Sequence, residues 1–453
     1  MSAARPDTAT PEGDTGPGTP RKLGRWMAVS LVMGNMIGSG VFLLPASLAL
    51  FGWNSVLGWV LTIAGALCLA ASFAWLAQKM PVDGGPHGYT RTAFGPLAAF
   101  MVTWSYWISN WIGVAAVAVA GVSYLGAIFP GLAATTGAEA VVACAILACL
   151  TGLNLAGTRS AGRFQLVTTL IKIVPLVLII VLAGVALGTG EATIQPLETG
   201  TLSLPAITAA ATLTLWALLG LESATVPAGR IENPDVTIPF ATITGTVLTG
   251  LLYLLTCSAI ILLMDPAVIA GSGAPFADFV ERFWAPGPAL LLAAFAVVSC
   301  FGAANGWILV TGELPYALAR DGQFPRWFGK LDKRGVPARA MVFSSGLMCA
   351  VVLLNYQSTA AEAFGFLLLI STCCTLFLYL VCMAAALKLR FAAGWTSGRW
   401  LPWVAGLGVI YSAWTIYGAG GEAVVWGLLL LLVSLPIYFV LGRNAVPMAQ
   451  TTA

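Results

Sequence analysis

Residues 26–78 contain no Asp, Glu, Lys or Arg, and comparable charge-free intervals recur as far as residue 442. A helix needs about 20 mostly apolar residues to cross a bilayer, where hydrocarbon offers unpaired backbone groups no partner. The pattern therefore predicts a bundle of membrane-spanning helices. Composition agrees, with 59% hydrophobic and 9% charged residues, against about 25% charged in soluble domains. A net charge of +3 with scattered basic residues excludes a nucleic-acid-binding class. The nine cysteines, from Cys68 to Cys382, all lie in apolar stretches. They read as small buried hydrophobes, not a disulfide framework. With His87 as the single histidine, a multi-histidine metal site is excluded, and no cofactor is expected.

Counting the intervals gives twelve spans. Residues 26–78 hold two helices divided at Ala49–Asn54, and 92–138 holds one helix broken at Phe129-Pro130-Gly131. The others are 140–158, 164–190, 199–221, 236–264, 283–312, 340–361, 363–387, 400–421 and 423–442, with Lys172 the one charge inside 164–190. The first apolar run is too long for a cleaved signal peptide, and a second span follows it. An even count places both termini on one side. Arg21, Lys22, Arg25, Lys79, Arg91, Arg159, Arg163 and Arg230 share that side with the group from Arg320 to Arg339 and with Lys388, Arg390 and Arg399. Opposite them stands Arg282, beside Glu191, Glu198, Asp265 and Glu362. The positive-inside rule puts both termini in the cytoplasm of a multi-pass protein of the cell (inner) membrane. Residues 1–20 read as a disordered cytoplasmic leader, 21–443 as the membrane domain and 444–453 as a cytoplasmic tail.

Gly34-Asn35-Met36-Ile37-Gly38-Ser39-Gly40 interrupts helix 1, and Leu219-Gly220-Leu221-Glu222-Ser223 interrupts helix 6 about 180 residues later. Paired Gly-interrupted spans in corresponding halves point to a transporter built on inverted repeats. Unwinding frees backbone groups that a substrate can satisfy. Amides near Ser39, Gly40 and Val41 suit a carboxylate, and carbonyls near Met36 and Trp216 suit an ammonium. Any one glycine is as well explained by close helix packing. The pair in register favours a site.

The run Gly34-Asn35-Met36-Ile37-Gly38-Ser39-Gly40-Val41-Phe42-Leu43-Leu44-Pro45 resembles helix 1 of the amino acid–polyamine–organocation superfamily. Its nearest likeness is to the basic amino acid/polyamine antiporter family and its arginine/agmatine-exchanging members. Tyr106-Trp107, Trp111-Ile112-Gly113, Leu215-Trp216, Glu222-Ser223, Gly306-Trp307, Phe364-Gly365 and Asp321-Gly322-Gln323-Phe324-Pro325 extend the match from about Lys22 to Arg443. The resemblance implies an all-α, LeuT-type fold of two inverted five-helix repeats, residues 26–190 and 206–388, with peripheral helices at 400–442. It places the substrate carboxylate at Ser39 and Gly40, with Met36, Gly38 and Leu219 among the other substrate-binding positions. Trp216 falls at the gating position and Trp307 at the wall of the side-chain pocket. Ser109, Asn110 and Ser371 fall where polar or small groups line that pocket. A guanidinium or ammonium over such rings gains cation–π attraction, although most of the sixteen tryptophans serve packing or interfacial belts. A homodimer through the peripheral helices is also implied.

Two positions depart from the arginine-exchanging pattern. Val114 stands where those members have an asparagine, and Lys172 where they have a small residue. Relatives that carry neutral amino acids have a lysine there, its ammonium replacing a sodium ion against helix 1. Lys172 lies roughly 13 Å along a helix from Arg163, too deep to reach the interface easily. It should find carbonyls or a carboxylate and couple helix 5 to the break around Gly38. Glu222 is the second buried charge, read either as a coupling group or as a cap on freed amides. Glu313 is expected to be solvated at the cytoplasmic end of helix 8, and His87 to be an ordinary loop histidine.

These readings describe a secondary transporter working by alternating access, whose partners are the bilayer and a small amino acid or amine, with no nucleic acid. Exchange of a cationic amino acid for its decarboxylated amine, as with arginine and agmatine, is the form the resemblance implies. A proton-linked or exchanging permease for neutral amino acids is the alternative that Val114 and Lys172 favour. An enzyme is excluded because no Gly-x-Ser-x-Gly or phosphate loop occurs. A channel would need a continuous polar lining.

Overall fold

In the computed structural model, residues 22–135, 137–285, 287, 289–354, 360–392, 398–418 and 420–442 are described. The leader at 1–20, the tail at 444–453 and the side chain of Phe364 lie outside that description. Every element among the described residues is helical, and the one isolated bridge is a parallel pairing of Leu23 with Ile231. Closed backbone ladders are what lipid demands of a spanning segment.

The first span is two helices, α1 (Arg25–Met36) and α2 (Gly40–Leu48), bent by 45° at the break between them. Then come α3 (Trp53–Lys79), α4 (Pro86–Phe94), α5 (Pro96–Ile128), the short α6 (Pro130–Ala134), α7 (Ala138–Leu155) and α8 (Thr158–Thr189). Next are α9 (Leu204–Trp216), which ends in a run of turns, α10 (Pro234–Leu263), and the short α11 (Pro266–Ala270) and α12 (Pro275–Phe283). The chain closes with α13 (Ala289–Arg320), α14 (Ala338–Leu354), α15 (Ala360–Ala392), α16 (Leu401–Gly418) and α17 (Gly421–Gly442). Seven helices are long and apolar enough to cross a membrane singly, and the bent pair α1–α2 makes eight among the described residues. Leu204–Trp216, Ala338–Leu354 and Val424–Val440 are shorter apolar helices.

Both breaks are written in backbone chemistry. Between Met36 and Gly40, only Ile37 and Gly38 donate short-range hydrogen bonds, to Met33 and Met36. After Trp216, Gly220 takes φ 109°, a conformation that favours glycine because it has no Cβ. Elsewhere small residues bring helices together, as lipid-embedded packing requires. A Cβ on Gly58 of α3 would approach Ala210 Cβ of α9 to 2.9 Å, and Thr62 bonds Thr214 at 2.8 Å beside it.

Several sequence expectations shift. The segment before the third span is itself helical, since α4 covers Pro86–Phe94 and Gly95 at φ 89° separates it from α5. His87 is consequently no loop residue. It is buried on α4, with Nδ1 3.0 Å from Thr103 Oγ1 and Nε2 2.6 Å from Asp321. Helix 8 does not stop at residue 312 but runs to Arg320, so Glu313 sits inside it. Glu313 is wholly buried and its Oε1 accepts Arg230 Nε at 2.9 Å, which corrects the expectation of a solvated carboxylate. A charge ended the apolar interval, but a paired charge does not end a helix.

The two rims of the bundle keep distinct partners. At one, Leu23 N donates to Arg230 O at 2.7 Å, Gly229 N to Asp83 at 2.6 Å, and Arg91 pairs with Asp321 at 2.6 Å. At the other, Trp53 Nε1 donates to Gln195 O at 2.9 Å and Asn54 Nδ2 to Thr201 O at 3.1 Å.

Candidate functional site

A cavity opens where the two breaks face each other. Asn35, Met36, Gly38, Ser39, Gly40 and Val41 line it from the first span, and Trp216, Ala217 and Leu219 from the end of α9. Asn110, Gly113, Val114 and Val117 come from α5, Ala303 and Trp307 from α13, and Ser371 and Thr375 from α15. No acidic residue lines it among the described residues.

α2 starts at Gly40 with no side-chain cap, so the amides of its first turn have no partner inside the helix. Ser39 Oγ is buried beside them without a hydrogen bond. This corner is a donor-rich seat for an anionic group. The Trp216 ring lies against Gly40 so closely that a Cβ there would overlap it. Trp307 closes a neighbouring wall, its Nε1 donating to Asn35 O at 3.2 Å and its ring 3.1 Å from a Cβ built on Gly220. Ser371 Oγ stands 2.9 Å from a Cβ built on Gly113, so the helix 3 glycine is what lets α15 approach.

The carbonyls of the break are already occupied. Lys172 on α8, with no exposed surface, donates Nζ to Gly34 O at 2.8 Å, Ile37 O at 2.7 Å and Ser299 O at 3.3 Å. Ser299 Oγ donates to Ile37 O and, at 2.9 Å, to Gly38 O. Met36 O, expected to receive an ammonium, accepts Tyr253 Oη at 3.0 Å and Gly38 N at 3.0 Å, and Trp216 O accepts Leu219 N at 3.2 Å. A freed carbonyl in a dry interior recruits whatever donor the fold supplies, and here the fold supplies several.

Glu222 lies outside the cavity wall, fully buried, and its two oxygens accept the hydroxyls of Tyr106 on α5 and Tyr379 on α15. Gly220 N donates to Tyr379 Oη at 3.2 Å. The helix 6 break is thereby tied to α5 and α15 together.

Of the residues named from sequence, Met36, Gly38, Ser39, Gly40, Asn110, Trp216, Leu219, Trp307 and Ser371 converge on the cavity. Ser109 does not. It is buried with Oγ donating to Tyr106 O at 2.8 Å, because neighbouring residues on a helix point about 100° apart. Asn35 and Val41 of the helix 1 break line it too, and Val117, Ala217, Ala303 and Thr375 join the wall without having been singled out. Helical spacing held the signal for two of them, since Val117 and Thr375 lie four residues beyond Gly113 and Ser371. Tyr379 carried no motif of its own.

The amino acid permease family model matches residues 23–442. The chain is 32% identical over 351 residues to the cadaverine/lysine antiporter of Escherichia coli (strain K12), covering 76% of this chain and 78% of that protein. It is 31% identical over 397 residues to a putative arginine/ornithine antiporter of Bacillus subtilis, covering 81% and 84%. With the putrescine transporter PotE of Haemophilus influenzae it shares 28% identity over 420 residues, covering 92% and 96%.

Proposed function

This chain belongs to the amino acid permease family, among its basic amino acid/polyamine antiporters, and from that premise we propose a specific exchange. It is a multi-pass membrane transporter and not an enzyme. It carries a cationic amino acid one way by alternating access and returns the decarboxylated amine, arginine and agmatine being the pair to which the sequence resemblance points. The observation that carries this reading is the cavity itself, with an uncapped helix start at Gly40 and indole faces at Trp216 and Trp307. The α2 amides and Ser39 hold the carboxylate, while the rings hold the cationic tail without a counter-charge.

In this reading Lys172 fills the place of a coupling cation between the helix 1 break and α13, and transport needs no sodium. Trp216 gates the cavity against Gly40, and Glu222 couples the helix 6 break to α5 and α15. A twelve-span architecture of inverted repeats, 26–190 and 206–388, is supported by the packing of α3 on α10, α5 on α13 and α7 on α14. Each pair joins corresponding members of the two halves.

A second reading, exchange of neutral amino acids, is favoured by the apolar group Val114, Val117 and Ala303 in the same wall. Counterflow in proteoliposomes separates the two. Preloaded arginine or lysine should drive uptake of labelled agmatine or cadaverine. Uptake of leucine or alanine with no response to any cationic substrate would refute the cationic assignment.

A further inference from the structure

Asn35 is the last member of a line of buried side-chain amides that crosses the bundle. Asn154 on α7 donates Nδ2 to Asn305 Oδ1 on α13 at 3.0 Å. Asn305 Nδ2 donates to Gln165 Oε1 on α8 at 2.9 Å, and Gln165 Nε2 reaches Asn35 Oδ1 at 3.5 Å. All four are buried, at most 5% exposed. Asn35 lines the cavity, and its own Nδ2 has no hydrogen-bond partner. Two glycines make room for the line. A Cβ on Gly306 would run into Asn35 Oδ1 and stand 2.8 Å from Gln165 Nε2, and one on Gly34 would strike Gln165 Nε2.

Every bond in the line runs the same way, with Asn154, Asn305 and Gln165 donating toward the cavity and Asn305, Gln165 and Asn35 accepting. Chains of hydrogen bonds polarise one another, so the terminal donor is the strengthened one. A buried donor left unmade is costly, and no carboxylate lines the cavity among the described residues to take it. We propose that Asn154, Asn305 and Gln165 are positioning residues that aim Asn35 Nδ2 at the carboxylate of an amino acid substrate. The decarboxylated amine has no group to meet that donor. The line thus weights the two arms of the exchange unequally, holding the amino acid more tightly than its amine. This inference rests on the exchange reading and deepens it.

The test is counterflow by the full-length protein, with KM measured separately for lysine, cadaverine, arginine and agmatine. Asn305→Ala and Gln165→Met should raise KM for the amino acids about tenfold, the weight of one charge-assisted hydrogen bond, and shift the amines several-fold less. Asn35→Asp should invert the preference, weakening the amino acids by carboxylate repulsion and tightening the amines. Thermal unfolding in detergent verifies that each variant is folded, and one folded variant of the three suffices. Equal shifts for amino acid and amine, or an unchanged preference in Asn35→Asp, would overturn the relay. If the wild-type protein moves neither arm, it is the exchange reading that fails.

Discussion

At the residue scale the site turns on positions where one extra atom or one missing donor decides the outcome. Gly40 is such a position, because the Trp216 ring occupies the space a methyl would need. Gly40→Ala should insert normally yet take up less than a tenth of the wild-type substrate, and wild-type uptake would show that the ring does not seat there. Lys172 is the complementary case, a single ammonium bonded to the carbonyls of Gly34, Ile37 and Ser299. Lys172→Ala leaves Gly34 O without its lysine donor, at about 1–3 kcal/mol, while Ile37 O keeps Ser299 Oγ. The variant should lose exchange, and sodium should stimulate it where it leaves the wild-type protein indifferent. Unchanged kinetics and pH profile in Lys172→Ala would sink the coupling role. Much of this site was readable from sequence because glycine breaks and a lone lysine are conspicuous in a charge-poor chain. What escaped was long-range. Tyr379 and Tyr253 are ordinary residues of apolar helices until the fold brings them to Glu222 and Met36.

At the element scale, charge-free intervals located most spans but misjudged their ends. An interval stops at the first charge, whereas a helix stops where its ladder fails or its φ changes sign, as at Gly95. α13 overran its interval because Glu313 is paired with Arg230, a residue beyond the helix 6 break. That pair clamps the chain after the break to α13. Arg230→Ala should cost about 3–5 kcal/mol by leaving Glu313 buried and alone, whereas Arg230→Met with Glu313→Leu should recover most of it. Thermal unfolding in detergent measures both, and a double variant no better than the single one would contradict the argument. A second clamp joins α4 to the end of α13 through His87, Arg91 and Asp321. Burial alone would raise the Asp321 carboxyl, but the His87 hydrogen bond and the charges of His87, Arg91 and Arg320 hold it below its ordinary value. A depressed carboxyl stabilises fully above its unfolded value, about 3.9, and loses that contribution as pH falls through the lower folded one. Asp321→Asn should therefore unfold at lower temperature than wild type at pH 7, with the two melting curves converging only as the pH drops below about 4.

At the scale of the whole molecule, the bundle has two sides with different partners. Residues that the positive-inside rule assigns together do meet at one rim, Leu23 with Arg230 and Arg91 with Asp321. Segments assigned to the opposite side meet at the other, Trp53 with Gln195 and Asn54 with Thr201. Contacts fix which residues share a rim, and the positive-inside rule predicts that the basic rim faces the cytoplasm. Exposed single cysteines at the two rims test both statements, with Cys149, an exposed native thiol, replaced by serine. Glu191→Cys should react with an impermeant maleimide in intact cells, and Lys333→Cys only after the membrane is opened. The reverse pattern would invert the orientation. Reaction of both from one side would break the pairing of rims and with it the even number of spans. The expected pattern would seat Arg230–Glu313 and His87–Asp321 together on the cytoplasmic side of the protein.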